Sequence, residues 1–271
     1  MPELPEVETT LRGIQPSIQD QIIHKLLIRR PNLRWVIPEY DLQQLVGLAI
    51  TEVTRRGKYL LLSTCRGHML IHLGMSGRLR ILDKWFAADK HDHIDILFNN
   101  GTLLRFTDPR RFGAWLYTDG DPKQHPLLKN LGIEPLSRQF NGLYLKQHLA
   151  NKRSPIKTAI MDQHIVVGVG NIYVTEALFK ARINPLRPAN SLLLSDLKQL
   201  ARSIKAILRL AITQGGSSLK DFLKSDGKPG YFTQHLNVYG RAGLPCLQCQ
   251  TCLQQIRIGQ RSSVYCQQCQ L

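Results

Sequence analysis

Reactive groups stand at the very start of the 271-residue sequence. The opening Met1-Pro2-Glu3-Leu4-Pro5-Glu6 places a proline directly after the initiator methionine, with two carboxylates close behind it. Once Met1 is removed, Pro2 presents a secondary α-amine, and the ordinary pKa of an α-amine, roughly 7.7–8.0, leaves a useful fraction unprotonated near neutral pH. Such an amine can act as a nucleophile. By residue type alone, the alternative for Pro2 is a processed terminus without a role, and the alternative for each glutamate is a charge that complements the dipole at a helix start.

A second constellation closes the sequence. Cys246-x2-Cys249 and Cys266-x2-Cys269 are separated by sixteen residues. Two such pairs, brought together by a hairpin, supply four thiolates in a tetrahedron, so the spacing predicts one structural zinc ion. Disulfides or unpaired thiols are the alternative. Cys252 is interpreted as a free thiol, and Cys65, at the end of an apolar run, as a small buried residue.

Charge indicates the partner. Thirty-six lysines and arginines against twenty acidic residues give a net charge of +16, which favours binding to a polyanion such as nucleic acid. Arg257, Arg261, Ser262 and Ser263 fall inside the predicted zinc loop, where a hairpin tip suits phosphate contact, although a solvated tip is the alternative. The sequence contains neither an apolar stretch long enough for a membrane span nor the pattern of a signal peptide, which predicts a soluble cytosolic protein.

These groups need elements that position them. Val7, Leu11, Ile14 and Ile18 repeat at helical spacing after Pro5, which predicts an anchored N-terminal helix. Short apolar runs between residues 20 and 118 predict buried strands, and Asn99-Asn100-Gly101 predicts a hairpin. The runs are Lys58–Ser63, Met69–Leu73, Ile94–Phe98 and Thr102–Phe106.

The second half of the chain is predicted to be mainly helical. A stretch rich in proline and glycine near residues 119–142 marks the domain boundary. One apolar stripe beyond it has helical spacing and is assigned to a core-facing helix without chemistry. Its members are Leu193, Leu197, Leu200, Ile204, Leu208 and Ala211.

Several segments jointly resemble a known family. The opening Met1–Thr9 is similar to the start of bacterial formamidopyrimidine-DNA glycosylases, and further matching segments follow in order as far as the cysteine pairs. They are Lys58–Leu61, His72–Gly77, Thr107–Gly113, Val167–Tyr173 and Ser225–Phe232.

This resemblance implies an α+β multidomain fold. It predicts an N-terminal β-sandwich with flanking helices over residues 1–130 and a linker over 131–150. A helix–two-turn–helix DNA-binding domain is expected over 151–235 and a zinc finger over 236–271, with DNA in the cleft between the domains. The implied enzyme is a monomer of the bacterial cytoplasm that acts on nucleoid DNA. It removes 8-oxoguanine and formamidopyrimidines from double-stranded DNA and then cuts the strand by β,δ-elimination.

The resemblance also implies roles for individual residues. Pro2 attacks C1′ of the damaged nucleotide and forms a Schiff base, while Glu3 is the acid that protonates the sugar ring oxygen, a role that suits a carboxyl with a raised pKa. Glu6 positions the N-terminus. Lys58 contacts a phosphate and donates a proton during β-elimination, and Arg261 does the same during δ-elimination.

Further residues are expected to contact DNA. Met75 and Phe112 fill the void that an extruded base leaves, and Arg110 reads the orphaned cytosine. By residue type alone, the alternative for Met75 and Phe112 is packing in the core. The segment Ser225–Phe232 is expected to close over the flipped base. Weaker candidates for phosphate contact are His72, His91, Asn151, Lys157, Asn171 and Tyr239.

Two other functions are compatible with parts of this pattern. An endonuclease VIII-like glycosylase for oxidised pyrimidines shares the proline nucleophile and the zinc hairpin, but the start Pro2-Glu3-Leu4-Pro5 and the Arg110-Arg111-Phe112 motif favour the purine enzyme. A non-catalytic zinc-ribbon DNA-binding protein is the other alternative, and the presence of both Pro2 and Glu3 argues against it.

Overall fold

The computed structural model describes residues 2–83, 86–217 and 232–271, in two compact units. The first unit contains the residues up to Lys129 and the described residues from Gln214 to Ser217, and the second contains 130–213 and 232–271. The helices are α1 (Leu4–Ile18), α2 (Glu39–Gln43), α3 (Gly142–Leu149), α4 (Ile156–Met161), α5 (Asn171–Lys180) and α6 (Leu194–Thr213). The strands are β1 (Ile23–Ile28), β2 (Glu52–Arg56), β3 (Tyr59–Ser63), β4 (His68–His72), β5 (Arg78–Leu82), β6 (Asp92–Phe98), β7 (Leu103–Thr107), β8 (Ala114–Thr118), β9 (Gln254–Ile258) and β10 (Arg261–Tyr265).

Two antiparallel four-stranded sheets form the first unit. Their strand orders are β1-β6-β7-β5 and β2-β3-β4-β8, and residues of both contribute to one hydrophobic core. The four apolar residues predicted on one face of α1 are buried in the same core, so the helix is anchored as expected. The predicted strands are confirmed to within two residues at their ends. The hairpin at Asn99-Asn100-Gly101 is confirmed as well, because it joins the antiparallel strands β6 and β7.

A buried ion network fixes β6 against β7. The guanidinium of Arg105 on β7 donates to both carboxylate oxygens of Asp95, each at 2.8 Å, and to Asp92 at 3.3 Å. All three side chains are buried, so each charge has its partner inside the sheet. The network holds the adjoining ends of the two strands, from which His91 and Asp108 extend.

Helices dominate the second unit, as predicted. Short α4 and longer α5 are joined by a turn that ends at Gly170, and α6 packs against both α3 and α5. The core-facing stripe of α6 is confirmed except at its first member, because Leu193 precedes the helix and is 65% exposed. Helix α3 lies within the range predicted as a linker, 131–150.

The C-terminal segment forms the antiparallel hairpin β9–β10, with Gly259 and Gln260 at its tip.

The prediction that Cys65 is buried is wrong. Cys65 is exposed because β3 ends at Ser63 and the chain turns back toward β4 at residues 64–67. Among the described residues, none of the helices is both long and apolar enough to cross a bilayer.

Candidate functional site

The N-terminal segment is fixed by a buried carboxylate. Glu6, in the first turn of α1, accepts a hydrogen bond from the backbone N–H of Glu3 at 2.8 Å through Oε2. Its other oxygen, Oε1, accepts from both the backbone N–H and the hydroxyl of Ser217, each at 2.8 Å. Pro2, Glu3 and Glu6 are all buried. Glu6 therefore ties the segment that carries Pro2 to a residue 211 positions away, a link that no local pattern announces.

Gly216 makes this link possible. Its φ of +81° lies in the left-handed region that favours glycine, and a Cβ there would lie 3.1 Å from Oε1 of Glu6. Any larger side chain would push against the carboxylate that holds Glu3.

The segment predicted to close over a flipped base, Ser225–Phe232, lies outside the described residues except for Phe232. That residue is buried, with its ring 5.3 Å from that of Tyr173.

A cationic cluster lies where β3 begins and β4 ends. Lys58 occupies the turn between β2 and β3, and the ring of His72 lies 4.9 Å from that of Tyr59. Burial, together with the charges of Lys58 and Arg34, lowers the pKa of His72 to about 4. Nδ1 of His72 accepts the N–H of Gly74 at 3.0 Å, so the neutral ring carries its proton on Nε2 and can donate it. Sequence reasoning missed Arg34, whose position near this cluster has no motif to reveal it.

The lowered pKa of His72 predicts a pH-dependent stability. The unfolded chain binds this proton at a pKa of about 6.5 and the folded chain only at about 4, so the free energy of unfolding should fall as the pH drops through that window. The loss expected from this group between pH 7 and pH 5 is about 2 kcal/mol. Urea unfolding of native protein and of H72Q at both pH values measures it. An equal loss in the two proteins would contradict the assignment.

Two loops bring the predicted void-filling residues together. Met75 is half-buried in the turn after β4, and Arg110 and Phe112 are exposed in the loop between β7 and β8. The guanidinium carbon of Arg110 lies 5.0 Å from the centre of the Phe112 ring, a cation–π contact. A Cβ on Gly74 would lie 2.4 Å from the backbone of Phe112, so the two loops touch and only glycine fits between them.

Asp108 locks these loops in place. Its Oδ1 accepts from the hydroxyl of Ser76 at 2.6 Å, and its Oδ2 accepts from the N–H of Gly113 at 2.8 Å. The Ser76 hydroxyl oxygen in turn accepts from the N–H of Arg110 at 3.1 Å. Asp108 is fully buried, so these bonds are not in competition with water. The sequence shows Asp108 only as part of a motif and gives it no role.

Replacement of Asp108 with alanine should separate the loops. It leaves a buried N–H and a buried hydroxyl without their acceptor, for an expected loss of about 3 kcal/mol of stability. If Arg110 reads the base opposite a lesion, as the resemblance implies, the difference in excision between lesions opposite cytosine and opposite adenine should also narrow, because Arg110 loses its support. Thermal unfolding and excision from both duplexes test this. The exposed Asp119 provides the control D119A, which should match native protein in both measurements.

The hairpin β9–β10 is held from two helices. Lys157 on α4 is buried, and its ammonium donates to the carbonyl of Ser262 at 3.1 Å and to the hydroxyl of Ser263 at 2.6 Å. Asn171, the first residue of α5, donates to the same carbonyl at 3.2 Å. Arg261 stands next to that carbonyl at the exposed start of β10. Lys157 therefore supports the hairpin from inside, whereas Arg261 faces solvent.

Glu176 on α5 anchors the chain that leads into the hairpin. The buried carboxylate accepts N–H bonds from Asn237, Val238 and Tyr239 at 2.8–2.9 Å, and Asn237 adds a side-chain bond at 3.1 Å. Sequence reasoning missed this carboxylate, although it fixes the backbone of Tyr239. Of the remaining candidates, Asn151 is exposed after α3, and His91 is half-buried just before β6.

Four thiols converge near the end of the chain. The sulfurs of Cys246, Cys249, Cys266 and Cys269 all lie within 4.8 Å of one another. Those of Cys249 and Cys266 are 3.4 Å apart, and those of Cys246 and Cys269 are 4.0 Å apart. Zinc–sulfur bonds of about 2.3 Å in a tetrahedron require sulfur separations of about 3.8 Å, so the cluster fits one such ion. Burial, with hydrogen bonds from the neighbouring thiols, raises the pKa of Cys269 to about 12. Cys252 is exposed and stands apart, with its sulfur 3.4 Å from the carbonyl of Gly243.

Comparison with known proteins agrees with this architecture. Residues 1–115 match the family model described as the formamidopyrimidine-DNA glycosylase N-terminal domain, and residues 131–223 match the H2TH domain of the same family. The paired sheets, the helical domain and the four-cysteine cluster define the class of two-domain DNA-repair glycosylases of this fold.

Full-length relatives narrow the class. The chain is 54% identical to the formamidopyrimidine-DNA glycosylase of Hydrogenovibrio crunogenus over all of this chain and 96% of that protein, and 53% identical to that of Photobacterium damsela over the full length of both. Its fold matches the crystal structure of the MutM (Fpg) protein of Thermus thermophilus with a TM-score of 0.88 at 37% identity, covering 99% and 98% of the two chains. A complex between wild-type Lactococcus lactis Fpg and DNA containing N7-benzyl-Fapy-dG matches with a TM-score of 0.90 at 34% identity, over 99% of both chains. The chain belongs to the formamidopyrimidine-DNA glycosylase family, whose enzymes bind DNA and combine glycosylase and AP lyase activities.

Proposed function

We propose that this chain excises oxidised purines from double-stranded DNA with the N-terminal amine of Pro2 as nucleophile and then cleaves the strand. The observation that carries the proposal is the fixed N-terminal segment, in which Glu6 holds the backbone of Glu3 beside Pro2. A covalent mechanism needs its nucleophile held within reach of the reacting carbon, and a backbone amine can be placed only by fixing the chain around it.

The chemistry follows from the two reactive groups. The amine of Pro2 bonds to C1′ of the damaged nucleotide as the base departs, and Glu3 gives a proton to the ring oxygen, which opens the sugar. The secondary amine thereby becomes a cationic iminium, an electron sink for loss of the phosphate groups on either side. Lys58 is the proposed proton donor in the first elimination and Arg261 in the second.

The remaining predicted residues recognise the DNA. Met75, Arg110 and Phe112 occupy the void left by the lesion, supported by the two locked loops. His72 donates its Nε2 proton to a phosphate, and exposed Asn151 is a further contact. The other proposed phosphate contacts are His91, Asn171 and Tyr239, and Asn171 also holds the hairpin. Lys157, predicted from the sequence as a further contact, is buried with its ammonium bonded to Ser262 and Ser263, so we propose that it acts by holding the hairpin.

Oxidised purine is the proposed substrate class. The similarity to relatives named formamidopyrimidine-DNA glycosylases supports it over an oxidised-pyrimidine enzyme. Excision of 8-oxoguanine opposite cytosine, measured beside excision of thymine glycol, tests the choice, and a preference for thymine glycol would overturn it.

We further propose that the protein acts as a monomer on bacterial nucleoid DNA, which sedimentation of its complex with a lesion duplex would check. The division into segments 1–130, 131–150, 151–235 and 236–271 is likewise a proposal.

One structural zinc ion is proposed for the four-cysteine cluster. When bound, the ion would cross-link the ends of the hairpin β9–β10, which otherwise has a small core around Phe179, Val238 and Leu253. A closed set of four sulfurs leaves no position for substrate, so the ion would have no part in the reaction.

Cys249→Ser and Cys252→Ser form a matched pair for testing the zinc site. Because one ligand of the tetrahedron is missing, C249S should no longer bind the zinc ion and should also lose the ability to bind DNA. The N-terminal sandwich should stay folded. C252S should retain one zinc per chain, since its sulfur lies outside the cluster. Elemental analysis and binding to a lesion duplex measure both effects. Equal metal contents in the two variants would contradict the assignment of ligands.

A further inference from the structure

A groove in the second unit has no part in the proposed DNA chemistry. A cavity of about 270 Å³ lies between the start of α3 and the middle of α6. Its floor is apolar and comes from Phe140, Leu143 and Ala201. Leu143 is 65% exposed, so the groove contains a large apolar side chain in contact with solvent, which a bound partner could bury.

Three cations surround this floor. Lys198, Arg202 and Lys205 line the groove from α6, and no acidic side chain lines it among the described residues. The ammonium of Lys205 lies 6.0 Å from the centre of the Phe140 ring and donates one proton to the carbonyl of Ser137 at 2.8 Å. Its other protons remain for an acceptor in the groove.

The spacing of these cations is unfavourable to the helix itself. Lys198 and Arg202 are four residues apart, and so are Lys205 and Arg209, which places like charges on neighbouring turns. Such pairs each destabilise a helix by roughly 0.2–0.5 kcal/mol. Within the described residues, none of the four forms an ion pair that would offset this repulsion. A bound anionic partner would offset this repulsion between the four cations.

The groove is held in a defined shape. A Cβ on Gly142, the first residue of α3, would lie 2.6–2.8 Å from Lys198, so the two helices are in close contact at this point. Asn141 caps α3 by accepting the N–H groups of Leu143 and Tyr144, each at 3.0 Å. The start of α3 therefore adds a partial positive charge beside the cations and presents Leu143 in a fixed position.

We propose that this groove binds an acidic peptide segment of a partner protein, with an apolar side chain against exposed Leu143 and carboxylates against Lys198 and Arg202. The combination of an apolar floor and a cationic rim favours such a peptide over DNA, because a duplex backbone presents phosphates but no apolar group of matching size. Of the proposed phosphate contacts of this unit, Asn171 lies on α5 and Arg261 on β10, while Asn151 and Tyr239 lie in loops. None of them lies within α3 or α6, although Asn151 follows shortly after α3.

The test uses the full chain and a fluorescein-labelled synthetic peptide of alternating aspartate and phenylalanine. Fluorescence anisotropy should show saturable binding, which R202E and K198E each weaken by about tenfold because charge reversal repels the carboxylates. The variant L143S should weaken peptide binding by roughly threefold or more, because the peptide can no longer bury the apolar side chain of Leu143. The control K129E carries the same charge change in the first unit and should leave the affinity as in native protein.

Three results would overturn the proposal. Native affinity in R202E and K198E would show that the groove is not the site. A peptide with serine in place of phenylalanine that binds equally well would show general attraction to the basic protein. An equal loss of affinity for an abasic-site duplex in R202E would show that the groove binds DNA. The supporting result is loss of peptide binding in these variants with duplex affinity unchanged.

Discussion

Protein that keeps Met1, or that carries a tag before Pro2, should bind a lesion duplex and yet form no borohydride-trapped adduct. The extra residue converts the amine of Pro2 into an amide, which is not nucleophilic, so strand cleavage at 8-oxoguanine should fall by at least about 10³-fold. The proposed phosphate contacts of Lys58 and Arg261 do not depend on that amine. Duplex affinity should therefore stay within a few-fold of the native value.

A tag of the same sequence after Leu271 is the control for this experiment. The Leu271 side chain is exposed, so the tagged protein should retain both adduct formation and cleavage. Mass spectrometry establishes that Met1 is present in the blocked form and absent from the native form. Cleavage at 8-oxoguanine by fully blocked protein would show that Pro2 is not the nucleophile, and a lysine would then have to be sought.

Glu3→Gln should separate the two steps of the reaction. The glutamine has the shape of the native side chain, which is only 3% exposed, but supplies no strong acid when the base departs. Excision of 8-oxoguanine should fall by roughly 10²–10⁴-fold, the contribution typical of a general acid. Cleavage of a preformed abasic site should change by less than about tenfold, because the amine of Pro2 remains and no base has to leave. Single-turnover rates on the two substrates give the comparison.

Glu8→Gln provides the matched control on the same helix. Glu8 pairs with Arg55 at 2.9 Å and with Arg12 at 2.8 Å, and it has no proposed part in the chemistry. The loss of these partly exposed pairs should cost about 1 kcal/mol of stability or less and leave both rates near native. If E3Q slowed the two reactions equally, Glu3 would act in a step common to both, such as positioning Pro2, rather than as the acid for base departure.

Local patterns determined much of the fold in advance. The helical spacing of Val7, Leu11 and Ile14 predicted the buried face of α1, and the Asn99-Asn100-Gly101 turn predicted the β6–β7 hairpin. The spacing of the terminal cysteines predicted a four-sulfur cluster that the structure contains. These features were accessible because each depends on residues close in sequence, whose periodicity or turn geometry is fixed by backbone dimensions.

Local patterns failed where burial depends on distant neighbours. Cys65 follows an apolar run and is nonetheless exposed, since the strand ends before it. Leu193 continues the apolar spacing of α6 but lies outside the helix, where it is 65% exposed. Periodicity shows which face of a helix is apolar, but the packing of other elements decides how far along the chain that face is covered.

The partners that support the site came from the tertiary structure alone, although the resemblance had already implied that Glu6 positions the N-terminus. Glu6 meets Ser217 across 211 positions, Asp108 meets Ser76 across 32, and Glu176 meets Tyr239 across 63. In each case a buried carboxylate accepts hydrogen bonds from groups that folding brings to it, and a buried carboxylate without such donors would be strongly disfavoured. The sequence determined which residues could react with or contact DNA. Only the folded chain decided what holds them in place, because hydrogen bonds between distant segments leave no periodic trace in the sequence.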